Sequence, residues 1–354
     1  MKLEELGYNE NLKKFRKEQK LEEFLIARVI TEHKERYIVK TDSQELEAEI
    51  TGNMRFAAES RSDYPAVGDW VAVAVYDELA IIHKIFPRKS ILERRAVNKF
   101  GETQIIATNL DYAFIVQAVD RDFNVNRIER YLTICHSAKV EPVIILSKID
   151  LINSEELDLI INEIKQRIKA IEIIPISNFT KEGLDKLDST IRTGKTYCML
   201  GSSGVGKSTL INNLAGYDIM RTNSISTSTN KGKHTTNYRE LIVLDKGGII
   251  IDNPGMREVG IADTGDGLEI TFDNIVELAK ECKFSDCTHT HEKECAVLDA
   301  VEKGIIDETS YKNYLKMEKE KIRFQTTAAE KKKKDKVFGR MQKEAVKYRR
   351  ENKY

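Results

Sequence analysis

Gly201-Ser202-Ser203-Gly204-Val205-Gly206-Lys207-Ser208-Thr209 sits between the apolar run 195–200 (KTYCML) and the amphipathic run 208–215 (STLINNLA). It fits G-x-x-x-x-G-K-[ST] in the setting that pattern needs, a strand before it and a helix after it. The glycines let consecutive backbone N–H groups close on phosphate oxygens, and the helix N-terminus adds favourable electrostatics. Lys207 is expected to reach the β- and γ-phosphates, and the Ser208 hydroxyl to bind Mg²⁺. The stretch predicts a nucleoside triphosphate site on an α/β sheet.

The flanking sequence extends that sheet. Downstream, Ile249-Ile250-Ile251-Asp252-Asn253-Pro254-Gly255 reads as an apolar strand ending in D-x-x-G. There Asp252 would join the Mg²⁺ shell and the Gly255 amide would sense the γ-phosphate. Residues 221–236 between the two motifs are rich in Ser, Thr, Asn and Gly and end Gly232-Lys233-His234-Thr235-Thr236. They lack the apolar content to bury themselves, which predicts a loop ordered only when a threonine hydroxyl is drawn to Mg²⁺. Thr236 is the expected ligand, with Thr235 beside it. Upstream, strand-like and helix-like segments alternate from Asp111. A helix is expected over 124–138 with Ile128, Leu132 and Cys135 on one side, and another over 154–170. This is the grammar of a parallel α/β sheet.

Ser147-Lys148-Ile149-Asp150 directly follows the apolar strand 142–146 (PVIIL). Its relation to N-K-x-D identifies the base. A carboxylate at Asp150 accepts from guanine N1 and N2, adenine offers no matching donor pair, and the Lys148 stem lies across the ring. Ile149 fills the variable position. Ser147 departs from the usual Asn, and its shorter side chain predicts weaker bracing of the loop. In Ile174-Pro175-Ile176-Ser177-Asn178 a backbone N–H near Ser177 would meet guanine O6. In an ordinary small GTPase these base-reading motifs follow the phosphate loop, whereas here Ser147 precedes Gly201 by 54 residues. Strands adjacent in space tolerate any order in sequence, so a circularly permuted GTPase satisfies every motif at once.

The rest of the chain supplies two further units. From Glu23 to Arg88, five short β-rich segments apolar on both faces suit a small closed barrel of OB type, with Trp70 a core residue rather than a nucleotide platform. Near the other end, Cys282-x₄-Cys287-x-His289-x₅-Cys295 supplies a Cys₃His set for tetrahedral Zn²⁺, closed and therefore structural. His291 is also in range, and spacing leaves the fourth ligand open. Cys135 and Cys198 are expected as ordinary buried thiols.

Composition sets limits. The chain has 354 residues, 41% hydrophobic and 32% charged, enough for two or three domains. No apolar run approaches the roughly 18 residues of a membrane span. The acidic, polar start predicts no secretory signal, and five cysteines exclude a disulfide framework, so a reducing cytoplasm is expected. The net charge of zero hides an asymmetry. Residues 311 to 354 hold 16 Lys and Arg against 6 Asp and Glu, a surplus of ten positive charges over an acidic body. Such a tail favours an anionic partner, nucleic acid first, through Lys331, Lys332, Lys333, Lys334, Arg349 and Arg350.

Taken together, the barrel with its VGDWV stretch, GSSGVGKS, GKHTT, DNPG and the Cys/His motif resemble the RsgA (YjeQ) family of circularly permuted ribosome-biogenesis GTPases over nearly the whole chain. The resemblance implies GTP hydrolysis stimulated by the small (30S) ribosomal subunit, with a role in its late maturation. It favours His289 as the fourth zinc ligand. It also points to His234 in hydrolysis, because Met256 stands where many GTPases carry a water-orienting Gln. The expected architecture is multidomain: an N-terminal region with an OB-fold β-barrel (1–90), a circularly permuted α/β P-loop GTPase domain (91–270), a zinc-binding helical subdomain (271–325) and a basic tail (326–354). GTP or GDP, Mg²⁺ and one structural Zn²⁺ are the expected cofactors, and a monomer that binds rRNA through barrel and tail is the expected state. The competing readings are an ATP-using P-loop enzyme, which Asp150 disfavours, and an RNA-binding module with a vestigial nucleotide pocket, which intact Lys207, Ser208 and Asp252 disfavour.

Overall fold

The structure is a computed structural model describing residues 1–33, 36–95, 103–120, 122–219, 240–252, 265–326, 330 and 333. The chain opens with a helix the sequence pattern did not announce, α1 (Glu10–Glu18), capped by the Asn9 side chain accepting from the Leu12 amide at 3.2 Å. Five strands follow: β1 (Leu25–His33), β2 (Arg36–Lys40), β3 (Glu45–Ile50), β4 (Trp70–Tyr76) and β5 (Leu79–Ile85), with a short α2 (Gly52–Ala57) after β3. They pair in the order β1-β2-β3-β5-β4, and β4 returns to β1, which closes the barrel and removes its edges. In β2 and β3 buried and exposed residues alternate, so one row faces the barrel core of Ala27, Val29, Tyr37, Val71, Val73 and Ile82. In β4 both faces are buried, because Trp70 and Ala72 point outward against Leu6, Tyr8 and Leu12 of the N-terminal segment. That second layer explains why the strand reads apolar throughout.

A hairpin, β6 (Ile91–Arg95) and β7 (Thr103–Thr108), leads into the nucleotide-binding unit. That unit contains β8 (Tyr112–Ala118), α3 (Val125–Ser137), β9 (Glu141–Ser147), α4 (Ser154–Arg167), β10 (Ile173–Pro175), α5 (Leu184–Thr190), β11 (Thr196–Leu200), α6 (Lys207–Ala215), β12 (Glu240–Val243) and β13 (Ile249–Asp252). The strand order is β10-β9-β8-β11-β13-β12, parallel except for β12. Ile128, Leu132 and Cys135 of α3 and Ile164 of α4 fill one face of the sheet; Leu187 of α5 and Leu210, Ile211 and Leu214 of α6 fill the other. The periodicity over 154–170 overran the helix, which stops at Arg167 where Ile168 turns extended. Cys135 and Cys198 are both fully buried.

After residue 265 the described chain is helical: α7 (Gly267–Thr271), α8 (Asp273–Ala279), α9 (Ala296–Glu302) and α10, residues 308–326. Leu268, Phe272, Ile275, Val297, Ile306 and Met317 form their core. Among the described residues no helix is long and apolar enough to cross a membrane.

Each flanking unit meets the central sheet at a buried charge. Arg28 of β1 is 1% exposed, and its guanidinium donates to the carbonyls of Leu6, Gly68 and Asn109 and to Thr196 Oγ1 at 2.5, 3.2, 3.5 and 2.9 Å. Glu129 of α3, also 1% exposed, accepts from Arg167 at 2.7 and 3.0 Å, from Ser310 Oγ at 2.9 Å and from Asn313 Nδ2 at 2.6 Å.

Candidate functional site

Parallel strands deliver their C-terminal ends to one edge, where open α/β sheets bind ligands. Leu200 ends β11 and runs into the phosphate loop, Ser147 ends β9, Ser177 follows β10, and Asp252 ends β13 on the strand beside β11. Register thus brings motifs far apart in sequence to a common rim.

The phosphate loop fits only glycine at its tightest points. A Cβ on Gly201 would lie 2.3 Å from the Val116 carbonyl oxygen, and Gly206, at φ +96°, caps α6 in the left-handed region. Lys207 is buried on the inner side of the loop, its Nζ donating to the carbonyls of Gly201 and Ser202 at 2.7 and 2.6 Å. Gly204 and Val205 carry the loop across to α6, where Ser208 and Thr209 stand in the first turn. Tyr131 of α3 backs the loop. Burial pushes its hydroxyl up to about 12, while Ser202 beside it pulls the other way.

The base-reading residues meet this loop directly. The buried Ser147 hydroxyl donates to the Val205 carbonyl at 2.7 Å. β9 thus passes close enough to the phosphate loop for the shorter serine hydroxyl to make one bond to it. Asp150 accepts from Ser177 Oγ at 2.5 Å, so the two halves of the base-reading set are joined to each other. Lys148 adopts φ +63° and places Nζ 2.8 Å from Asp120, with the buried Ile149 beneath it.

Sequence reasoning passed over Asp120, the partner that fixes the Lys148 stem, and Asn178, whose Nδ2 donates to the Gly206 carbonyl at 3.1 Å. Asp120 carried a usable signal, a carboxylate just past the end of an apolar strand. Asn178 carried none beyond adjacency to Ser177. A cavity of about 670 Å³ lies elsewhere, at the opposite ends of the strands, among Tyr8, Arg28, Trp70, Asp111, Lys195 and Thr196. Its charged groups already hold one another or the backbone, as in the Lys89 and Lys195 pairs with Asp111.

The Cys/His motif also converges. Ligand atoms of Cys282, Cys287, His289 and Cys295 all lie within 4.8 Å of one another. Cys282 Sγ is 3.6 Å from His289 Nδ1 and 3.8 Å from Cys295 Sγ, and His289 Nδ1 is 3.5 Å from Cys295 Sγ. A tetrahedron with arms of about 2.3 Å has edges of about 3.7 Å, so this donor set fits zinc. His291 is exposed, with Nδ1 turned to Thr290 Oγ1 at 2.8 Å, while Tyr311 of α10 donates to the His289 carbonyl at 2.5 Å. Of the two histidines, His289 faces the thiols.

Comparison with known proteins bears on the whole arrangement. The family model described as RsgA GTPase matches residues 85–262, half of the chain. The chain belongs to the RsgA GTPase family. A protein of Lactiplantibacillus plantarum named small ribosomal subunit biogenesis GTPase RsgA 2 is 45% identical over 297 residues, covering 84% of this chain and 83% of that protein. RsgA 1 of Bacteroides thetaiotaomicron is 37% identical over 349 residues, covering 98% and 97%. Among solved structures, YjeQ from Thermotoga maritima aligns with a TM-score of 0.62 at 25% identity, covering 84% of this chain and 98% of that one. The fold is also that of YloQ, described as a circularly permuted GTPase, at a TM-score of 0.59.

As an RsgA-family member the chain is a GTP hydrolase that uses guanine nucleotide and Mg²⁺. Ser208 and Asp252 offer the oxygens that suit Mg²⁺, which would neutralise charge on the phosphates. The expected third oxygen, Thr236, lies outside the described residues with its neighbour Thr235, as do His234, Gly255 and Met256. Lys331, Lys332, Lys334, Arg349 and Arg350 of the basic tail, which departs from the family pattern, lie outside them too.

Proposed function

We propose that this chain is a guanine-nucleotide switch acting on the small ribosomal subunit during its late maturation, with GTP hydrolysis stimulated by the subunit. The observation carrying this reading is the direct tie between the Ser147 hydroxyl and the Val205 carbonyl, which joins a base-reading loop to a phosphate loop despite their inverted order in sequence. Relatives named small ribosomal subunit biogenesis GTPases support the ribosomal partner.

In this reading Asp150 accepts from guanine N1 and N2, Lys148 covers the ring, and backbone N–H groups at Ser177 meet O6. Residues 201–206 wrap the phosphates, and Lys207 exchanges its own loop carbonyls for phosphate oxygens. Ser208, Asp252 and Thr236 hold Mg²⁺, Gly255 senses the γ-phosphate, and His234 orients the attacking water when the subunit orders its segment. Cys282, Cys287, His289 and Cys295 hold a structural Zn²⁺ that staples the C-terminal helices beside their apolar core. The division into 1–90, 91–270, 271–325 and 326–354 assigns rRNA contact to the barrel and basic tail, timing to the GTPase domain, and a monomeric cytoplasmic protein to the whole.

The deciding experiment is GTP turnover by the full chain with and without purified small subunits, with ATP as control. The reading expects slow intrinsic turnover, in the range of about 10⁻⁴ to 10⁻² per second for unassisted GTPases, and strong stimulation confined to GTP. Equal turnover with and without subunits, or equal use of ATP, defeats it. Subunit-stimulated turnover in His234→Ala matching the unmodified chain would remove that histidine from the mechanism.

A further inference from the structure

Resting on the guanine-nucleotide reading of the site, we infer that Asn178 is a positioning residue that locks the base-reading loops to the phosphate loop at a fixed spacing. A serine hydroxyl carries one hydrogen, and Ser147 commits it to the Val205 carbonyl at 2.7 Å. A carboxamide at 147 would carry two. The next carbonyl along the loop, Gly206, receives its side-chain tie from a different strand end, through Asn178 Nδ2 at 3.1 Å. Two successive carbonyls of the phosphate loop are thus held by one donor from each of two base-reading loops.

The Asn178 amide is itself oriented. Asn213 of α6 donates from Nδ2 to Asn178 Oδ1 at 3.1 Å and to the Asn178 backbone carbonyl at 3.2 Å. With Oδ1 engaged as an acceptor, Nδ2 is left to face Gly206. Lys181 Nζ bonds Asn213 Oδ1, so the chain of contacts runs from the base loop to α6 and back to the loop that caps it. The close approach requires glycine at 206: a Cβ there would stand 2.7 Å from Asn178 Nδ2.

A rigid spacing between two subsites favours a ligand that spans both and does nothing for one that fills a single subsite. Asn178 therefore contributes to binding of GDP and GTP and not to binding of guanosine. Without the clamp the Asp150–Ser177 pair still reads the base, but the base no longer arrives in step with the phosphates.

The test measures binding of a fluorescent GDP analogue to the full chain, with competition by GDP, guanosine and ADP. Asn178→Ala is expected to weaken GDP about tenfold, the effect of losing one or two partly buried hydrogen bonds, while guanosine changes less than about twofold. Asn178→Asp keeps the volume but turns an acceptor toward the Gly206 carbonyl, and is expected to weaken GDP at least as much. Thermal unfolding of each variant establishes that it is folded, and the isosteric variant carries the test where the alanine variant is not. GDP affinity unchanged in the folded variant, or GDP and guanosine weakened by one common factor, overturns the clamp. Failure of the unmodified chain to prefer GDP over ADP overturns the guanine reading instead, so the two failures are distinguishable.

Discussion

The central unit meets its barrel and its C-terminal helices through buried charges of opposite sign, solved in opposite ways. At the barrel the charge itself crosses the boundary. Arg28 leaves β1 and is surrounded by neutral oxygens from the N-terminal segment, the 68 and 109 turns and β11, with burial pulling its pKa down to about 10, still protonated at neutral pH. At the helices the ion pair stays at home. Glu129 and Arg167 both belong to the central unit; Ser310 and Asn313 of α10 reach Glu129 as neutral donors, Asp307 comes within 3.6 Å of Arg167, and Glu320 pairs with Arg130 at 2.7 Å. Removing Arg28 would strand several acceptors across three segments, whereas withdrawing α10 leaves the Glu129–Arg167 pair intact. The first junction hangs on one buried charge, and the second spreads its polar ties over Glu129, Arg130 and Arg167.

The largest expected effect tests whether that second junction can hold its helices unaided. Cys287→Ser, or chelation of the full chain, should take zinc from one per chain to near zero and unfold 271–326 first, since structural zinc supplies on the order of 10 kcal/mol to small units. Metal analysis with hydrogen exchange checks this. Retained protection in α9 and α10 without metal would mean that the helical contacts alone suffice. Next comes Arg28→Met, expected to cost about 3–5 kcal/mol in urea unfolding of the whole chain, because buried carbonyls lose their donor. A loss below about 1 kcal/mol would equalise the two junctions and break the contrast.

Smaller effects sharpen it. Ser310→Ala with Asn313→Ala should cost about 1 kcal/mol per bond and accelerate amide exchange in α10 while leaving β8 and β11 unchanged. The smallest concerns His136 of α3, whose Nδ1 lies 3.0 Å from Thr271 Oγ1 of α7 and whose pKa is lowered by burial, only partly offset by Asp273. A lowered folded-state pKa means the unfolded chain binds the proton more readily, so this group's contribution is full above about pH 6.5 and is lost as the pH falls from there. His136→Asn should flatten that part of the stability–pH curve, and an unchanged slope would assign it to other groups.

Several of these residues differ in how visible they were beforehand. The phosphate loop, the D-x-x-G strand, Asp150 and the Cys/His set are local patterns whose spacing carries their chemistry, and the barrel strands carried alternation or continuous apolar runs. Trp70 was legible as core because an aromatic in an apolar run has few other fates. The N-terminal helix and the hairpin over 91–108 were not legible, being short segments stabilised by packing against the barrel and by bonds such as those from Arg88 and Thr108 to Asp69. Arg28 and Glu129 belong to no motif, and the motif holding Asn178 gives no hint of its role, since the partners in question stand 168, 184 and 28 residues away.

The order of letters alone pointed to a triphosphate cradle, a guanine reader and a Cys/His metal set, because each requires particular side chains at short, fixed intervals. Only the folded chain decided that the Ser147 hydroxyl reaches the phosphate loop, that His289 and not His291 faces the thiols, and which charges lie at the junctions. Those outcomes depend on distances between remote segments, and a gap of 2.7 Å between a hydroxyl and a carbonyl is set by strand register and helix packing rather than by any local pattern.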